Sequence, residues 1–264
     1  MSNLQKTILG LAMFLLLGLY FGTSTKAADQ EKVERTRALS AESTDINGLL
    51  IDAKPGLSDE QATYILSLEK SLETASSDEE LRVKGLKDIS GKWYEYGRAD
   101  IAGHYAKEVA LIDSTEMSWS IAGTTYMLGA RQTTKEKIKS YCVKEAISAF
   151  ENAISINPEN ASHQLNLATC YAENPPEKNP MKGILMLLDL NKKYPDNVSV
   201  LISLAKFGMQ TGQNEKAIGR LKKAISLDPE ARIAYCMLAK AYEASKNVTE
   251  ATIYQQECDK RAKK

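Results

Sequence analysis

At 264 residues with 43% apolar side chains, the chain is long enough to bury an extended core. Its 34 basic and 34 acidic residues balance to a formal charge of zero, so no overall basic field recruits nucleic acid. The four cysteines form no C-x-x-C pair and neither histidine stands near them, which excludes a zinc site built on local spacing.

The first 25 residues contain a run from Ile8 to Gly22 with no charged or strongly polar group, extended by Thr23–Thr25 to 18 residues. A bilayer core takes about 20 residues and a signal-peptide core about 10–14, so the run lies between the two. "STKAAD" offers only Thr25 and Ala27 as a weak small-x-small pair, so an uncleaved membrane anchor is preferred over a cleaved signal. Lys6 precedes the run, but Lys26, Lys32, Arg35 and Arg37 follow it. Strict charge bias opposes outside placement of the rest of the chain, whereas the short one-lysine head has the look of a Sec-dependent signal or anchor. The expectation is a membrane-anchored protein with a periplasmic C-terminal part.

Residues 26–57 are polar and charged and read as a linker, punctuated by Pro55-Gly56. Ser58 and Gln61 form a capping-box pattern that opens a helix through about Thr74, with Ala62, Ile65, Leu66, Leu68 and Leu72 at helical spacing. From there the pattern is helical to the end, with prolines only between helices. Residues 27–80 carry 13 acidic and 5 basic groups, and 198–264 carry 7 and 12, an asymmetry that reads as solvated helix faces.

The helical part repeats itself. Residues 198–231 supply Leu201, Leu204, Ala205, Ala217, Leu221, Ala224 and Pro229, with Gly208 breaking the pattern once. Residues 161–197 supply Leu167, Ala168, Tyr171, Gly183, Leu187, Leu190 and Pro195, and 116–160 supply Trp119, Ala122, Gly123, Tyr126, Ala146, Phe150, Ala153 and Pro158. Residues 232–264 add Tyr235, Leu238, Ala239, Tyr242 and Ala251, with Gln255 where an aromatic would stand. Leu86, Ile89, Trp93, Ala102, Ala106 and Val109 mark a degenerate unit within a helical region 58–115. Four units in phase match the roughly 34-residue helix–turn–helix repeat. Small residues occur where the two helices of a unit cross, because a larger side chain would hold the backbones apart. One pair cannot bury its apolar face alone, so several must stack.

Residues 80–264 therefore resemble the tetratricopeptide repeat superfamily, and the whole chain is similar to N-terminally anchored repeat proteins of Bacteroidetes, most closely over "NPMKGILMLLDLNKKYPDNVSVLISLAKFGMQTGQNEKAI". The resemblance implies an all-α, right-handed solenoid whose concave face holds a peptide or helix of a protein partner, without catalysis or cofactor. Some members clamp a chaperone's C-terminal carboxylate with lysine, asparagine and arginine on their first helices. Here the matching positions are Ser120, Thr124, Asn166, Ser199 and Ser203, which form no clamp. The resemblance places Leu165, Thr169, Ile202, Lys206, Met209, Ile233, Cys236 and Lys240 on the groove, a surface suited to an amphipathic or acidic segment.

No phosphate-binding loop, H-E-x-x-H or G-x-S-x-G motif occurs, His104 and His163 fall in different units, and the carboxylates are scattered. The function expected is a non-catalytic, membrane-tethered scaffold that binds a protein partner in the cell envelope. The alternative is a structural, self-associating component whose groove stays empty. All four cysteines, Cys142, Cys170, Cys236 and Cys258, are read as small buried packing residues, although their even number permits disulfides. The stretch from Tyr126 to Ala146 holds about ten more residues than a standard unit. Its helical spacing at Ile138, Tyr141 and Ala146 predicts two elongated helices with a turn near Gln132–Thr134, and exposed lysines at the tip for a second partner.

Overall fold

The computed structural model describes residues 44–75 and 78–262. The anchor or signal expected over residues 1–25, and most of the linker expected over 26–57, lie outside the described residues. From Asp45 onward the chain forms one compact unit. Among the described residues it contains twelve α-helices and no strand. The first two are α1 (Ile46–Ala53) and α2 (Asp59–Thr74), separated by a 3-10 turn at Lys54–Gly56. Five antiparallel pairs follow: α3 (Glu79–Glu95) with α4 (Ala99–Asp113), α5 (Glu116–Gln132) with α6 (Glu136–Ile156), and α7 (Ala161–Glu173) with α8 (Lys182–Lys193). The series ends with α9 (Val198–Gln210) paired to α10 (Asn214–Leu227), and α11 (Arg232–Ala244) paired to α12 (Val248–Lys260).

Short polar side chains start these helices by satisfying amides that have no intrahelical partner. Ser58 and Gln61 make the reciprocal capping box at the head of α2. Thr115, Asn160, Asn197 and Asn247 cap α5, α7, α9 and α12. Small residues of the repeat pattern lie in the core: Ala122, Ala146, Ala168, Ala217 and Ala224 are fully buried. The tightest crossing is between α7 and α8. A Cβ on Gly183 would stand 2.2 Å from the Ala172 amide nitrogen and 2.6 Å from the Ala168 carbonyl oxygen, so only glycine permits the approach.

From α5 onward each first helix also meets the next, α5 against α7, α7 against α9 and α9 against α11, whereas at the N-terminal end the second helices α4 and α6 meet instead. The second helices α6, α8, α10 and α12 have no contact of comparable breadth with one another. From α5 to α12 the first helices are thus the inner side of a curved stack, and the second helices form its outer side.

The two helices around the inserted residues are elongated, joined by a turn at Thr133–Lys135. Lys135 and Lys137 at their tip are exposed, as the sequence suggested, but the tip also meets a further helix. The segment 46–53, inside the stretch read as linker, is helix α1, and it packs on α4. Ile46, Leu49, Leu50 and Ala53 recur at i, i+3, i+4 and i+7, and Leu49 and Ala53 are buried in the same core as Ile138 and Cys142 of α6. Lys135, at the tip, pairs with Asp52 of α1. Arg98 adds a second ion pair to Asp52 at 3.4 Å and donates to the Leu49 carbonyl at 3.3 Å. The turn between α5 and α6 is therefore tied to α1, which itself sits on α4.

Candidate functional site: the inner face of the first helices

The residues singled out from the sequence all lie on α7, α9 and α11, but they differ in how much they offer a partner. Leu165, Thr169, Ile202 and Met209 are half-buried, and the three apolar ones pack into the inter-helix clusters. Ile233, 58% exposed, and Lys240 are the open ones. Cys236 forms a disulfide with Cys258 of α12, which corrects the reading of both as simple packing residues. Cys142 and Cys170 do fill that packing role: both are fully buried, and burial pushes their thiols up to about 12.

Lys206 is already engaged. Its Nζ lies 2.5 Å from Glu173 Oε1, and the other oxygen of Glu173 receives Arg131 Nε and Nη2 at 2.8 Å. One carboxylate on α7 thereby ties together the first helices of three successive pairs. Burial alone would raise the Glu173 pKa, but the hydrogen bonds from Lys206 and Arg131 outweigh it and hold the carboxyl below its usual range. Lys206 is thus not the free cation that the sequence offers to an acidic ligand.

Three of the first helices, α5, α7 and α9, are otherwise nearly free of charge. Between Glu116 and Arg131, α5 carries none; α7 has only His163 and its terminal Glu173; α9 has only Lys206. His163, in the first turn of α7, is buried, with Nε2 3.0 Å from Glu116 Oε2 and 3.0 Å from Asn160 Nδ2. Of the ten lysines on helices α5 to α10, nine lie on the outer helices α6, α8 and α10. What the inner face presents across α5, α7 and α9 is aliphatic and hydroxyl-bearing: Met117, Ile121, Thr124, Leu165, Thr169 and Ser203.

Sequence reasoning missed the most open part of this face. The α3–α5 pair lacks the broad contact that joins the other successive first helices, and a cleft of about 480 Å³ opens between them. Ala106 and Val109 of α4 form its floor, Lys87 and Tyr94 line the α3 side, and Met117 and Ile121 line the α5 side. Met117 is 65% exposed, Tyr94 55% and Ile121 51%, which leaves large apolar surface facing solvent at one place. A signal was present: Met117 occupies the same repeat position as Ile233, but the unit on α3 departs too far from the pattern to locate its cleft-lining residues.

No helix among the described residues is long and apolar enough to cross a membrane. Two family models match the C-terminal part of the chain, a TPR repeat over residues 209–245 and a tetratricopeptide repeat over 233–264. No curated protein matches the sequence. Among solved structures, the chain is similar to TTC0263, a thermophilic TPR protein of Thermus thermophilus, with 18% identity, a TM-score of 0.51, and coverage of 68% of this chain and 89% of that one. It also aligns with MamA from Desulfovibrio magneticus RS-1 at 16% identity and a TM-score of 0.46, covering 71% of this chain and 97% of that one. The chain thus carries tetratricopeptide repeats, matched directly over 209–264 and continued toward the N-terminus by helix pairs of the same all-helical solenoid type.

Proposed function

We propose that the array is a non-catalytic scaffold that holds a segment of a protein partner on the inner face of its first helices, anchored in the cleft between α3 and α5. The observation that carries this reading is the joint exposure of Tyr94, Met117 and Ile121 around a formed cleft, beside a nearly uncharged strip across α5, α7 and α9. A surface of this kind desolvates cheaply and rewards an apolar ligand, and it matches the helix-in-groove mode of recognition. The partner segment is accordingly amphipathic, with an aliphatic buried side. Leu165, Thr169, Ile202, Met209 and Ile233 continue the same face, and Lys240 marks its far end.

The apolar run Ile8–Gly22 supports a membrane tether for this scaffold, and the Cys236–Cys258 disulfide supports an array on the oxidising side of that membrane, in the cell envelope. Membrane fractionation with an intact-mass measurement tests the tether; a soluble mature form beginning near Ala28 would replace it with a cleaved signal.

Photo-crosslinking in cells tests the binding face. A crosslinking side chain at Ile121 should yield a defined adduct that the same group at Leu185, exposed on the outer helix α8, does not. Equal labelling at both positions would defeat the inner-face reading. An adduct to a second copy of the chain would establish the self-associating alternative.

A further inference from the structure

The last helix pair holds a chemical feature that neither the repeat pattern nor the binding face requires. Cys236 on α11 and Cys258 on α12 are joined, with Cα atoms 4.9 Å apart, within the span that an S–S bridge tolerates. The two sulfurs belong to residues of unequal access: Cys258 is buried, whereas Cys236 is half-buried. Cys258 is also the only buried residue of α12. Among the described residues no further pair covers this helix, and Gln255, Ile253 and Val248 are exposed. Its remaining ties are only half-buried: Ala251 and Tyr254 pack against the core of the last pairs, Tyr254 stacks on Tyr242 at 5.6 Å, Arg261 lies 3.7 Å over the Tyr235 ring, and Arg232 Nε donates to the Cys258 carbonyl.

We infer that this bridge is a thiol–disulfide exchange site, that its substrate class is a dithiol reductant, and that Cys236 is the sulfur attacked. A thiolate of the dithiol attacks Cys236 Sγ, a mixed disulfide forms there, and Cys258 leaves as a thiolate that takes up a proton. The second thiolate of the reductant then attacks its own sulfur in the mixed disulfide and releases Cys236, which is protonated in turn. The protein gains two electrons and two protons, and the dithiol becomes a disulfide. Access selects the sulfur, because exchange requires in-line approach to the one attacked. Chemistry is confined to this pair, since Cys142 and Cys170 are fully buried. Reduction removes the tie at the sole buried residue of α12, so this helix falls to the low-stability end of the molecule while the rest of the array stays closed.

The full oxidised chain is treated under native conditions with reduced glutathione as a single-thiol probe, quenched with iodoacetamide and mapped by mass spectrometry. The expected product carries glutathione on Cys236 and the alkyl group on Cys258, with Cys142 and Cys170 unmodified. Glutathione on Cys258, modification of Cys142 or Cys170 at the same rate, or four free thiols in the protein before treatment would overturn the assignment. Hydrogen exchange gives the structural readout. Dithiothreitol should speed exchange of the α12 amides at least ten-fold and leave α5–α9 unchanged. The double variant Cys236→Ser/Cys258→Ser should show the same acceleration without reductant. Unchanged protection of 248–260 in both cases would overturn the release of α12.

Discussion

Lys206 and Glu173 face each other across two repeats, Nζ to Oε1 at 2.5 Å, and this pair withdraws from the inner face a charge that the sequence alone offers to a ligand. Glu173 also receives Arg131, so its loss would leave two cations facing each other with no anion between them. Glu173→Gln should lower stability by about 1 kcal/mol, the size of a partly exposed ion-pair network, and thermal unfolding measures it. The folded pKa of Glu173 is depressed, so its contribution is complete above the ordinary glutamate range and is lost as pH falls through the folded value. The wild-type loss on acidification should therefore be steeper than that of Glu173→Gln.

Asp52 makes the seating of α1 pH-dependent in the same direction. The hydrogen bond from Lys135 lowers its pKa foremost; burial opposes this, and the charges of Lys135 and Arg98 add to the lowering. The docking that it stabilises is intact above the usual aspartate range and weakens as pH drops through the folded value. Asp52→Asn should accelerate amide exchange in residues 46–53 about five-fold at neutral pH, corresponding to about 1 kcal/mol for a solvent-screened pair, and should remove the acid sensitivity of that segment. Exchange in α9 and α10 serves as the internal control.

Two glycines make opposite predictions. Gly183→Ala places a methyl group inside the contact distance of the α7 backbone and should cost about 3 kcal/mol, because backbone atoms cannot rotate away. Gly219 sits on α10 with nothing within 4 Å of a built Cβ, so Gly219→Ala should stabilise by about 1 kcal/mol through helix propensity alone. Denaturant unfolding of the pair checks both signs at once.

Ala217 is fully buried where α10 crosses its neighbours, and Ala217→Leu should overpack that crossing by about 1–3 kcal/mol. An unchanged unfolding midpoint would contradict the packing described for α9–α11.

Ile121 is the contrasting case. It is half-exposed at the cleft, so Ile121→Ser should leave unfolding within about 0.5 kcal/mol of wild type while abolishing partner adducts formed from a crosslinker at Met117. A large stability loss would mean that Ile121 is core and not a contact.

The periodicity of small and apolar residues determined the helix pairs by itself, since Ala217, Leu221 and Ala224 can bury together only on one helix side. The capping box at Ser58 and the elongated α5 and α6 were equally legible, because caps and helical spacing are local. Tertiary structure alone decided the rest. Whether Lys206 is free depends on Glu173, 33 positions away, and whether Cys236 faces a groove depends on Cys258. α1 escaped notice because eight residues are too few for a helix to declare itself before it has a surface to dock on. The cleft at Tyr94, Met117 and Ile121 was hidden for a related reason: it is a gap between two first helices, and a gap is set by how pairs stack, which no spacing within either helix encodes.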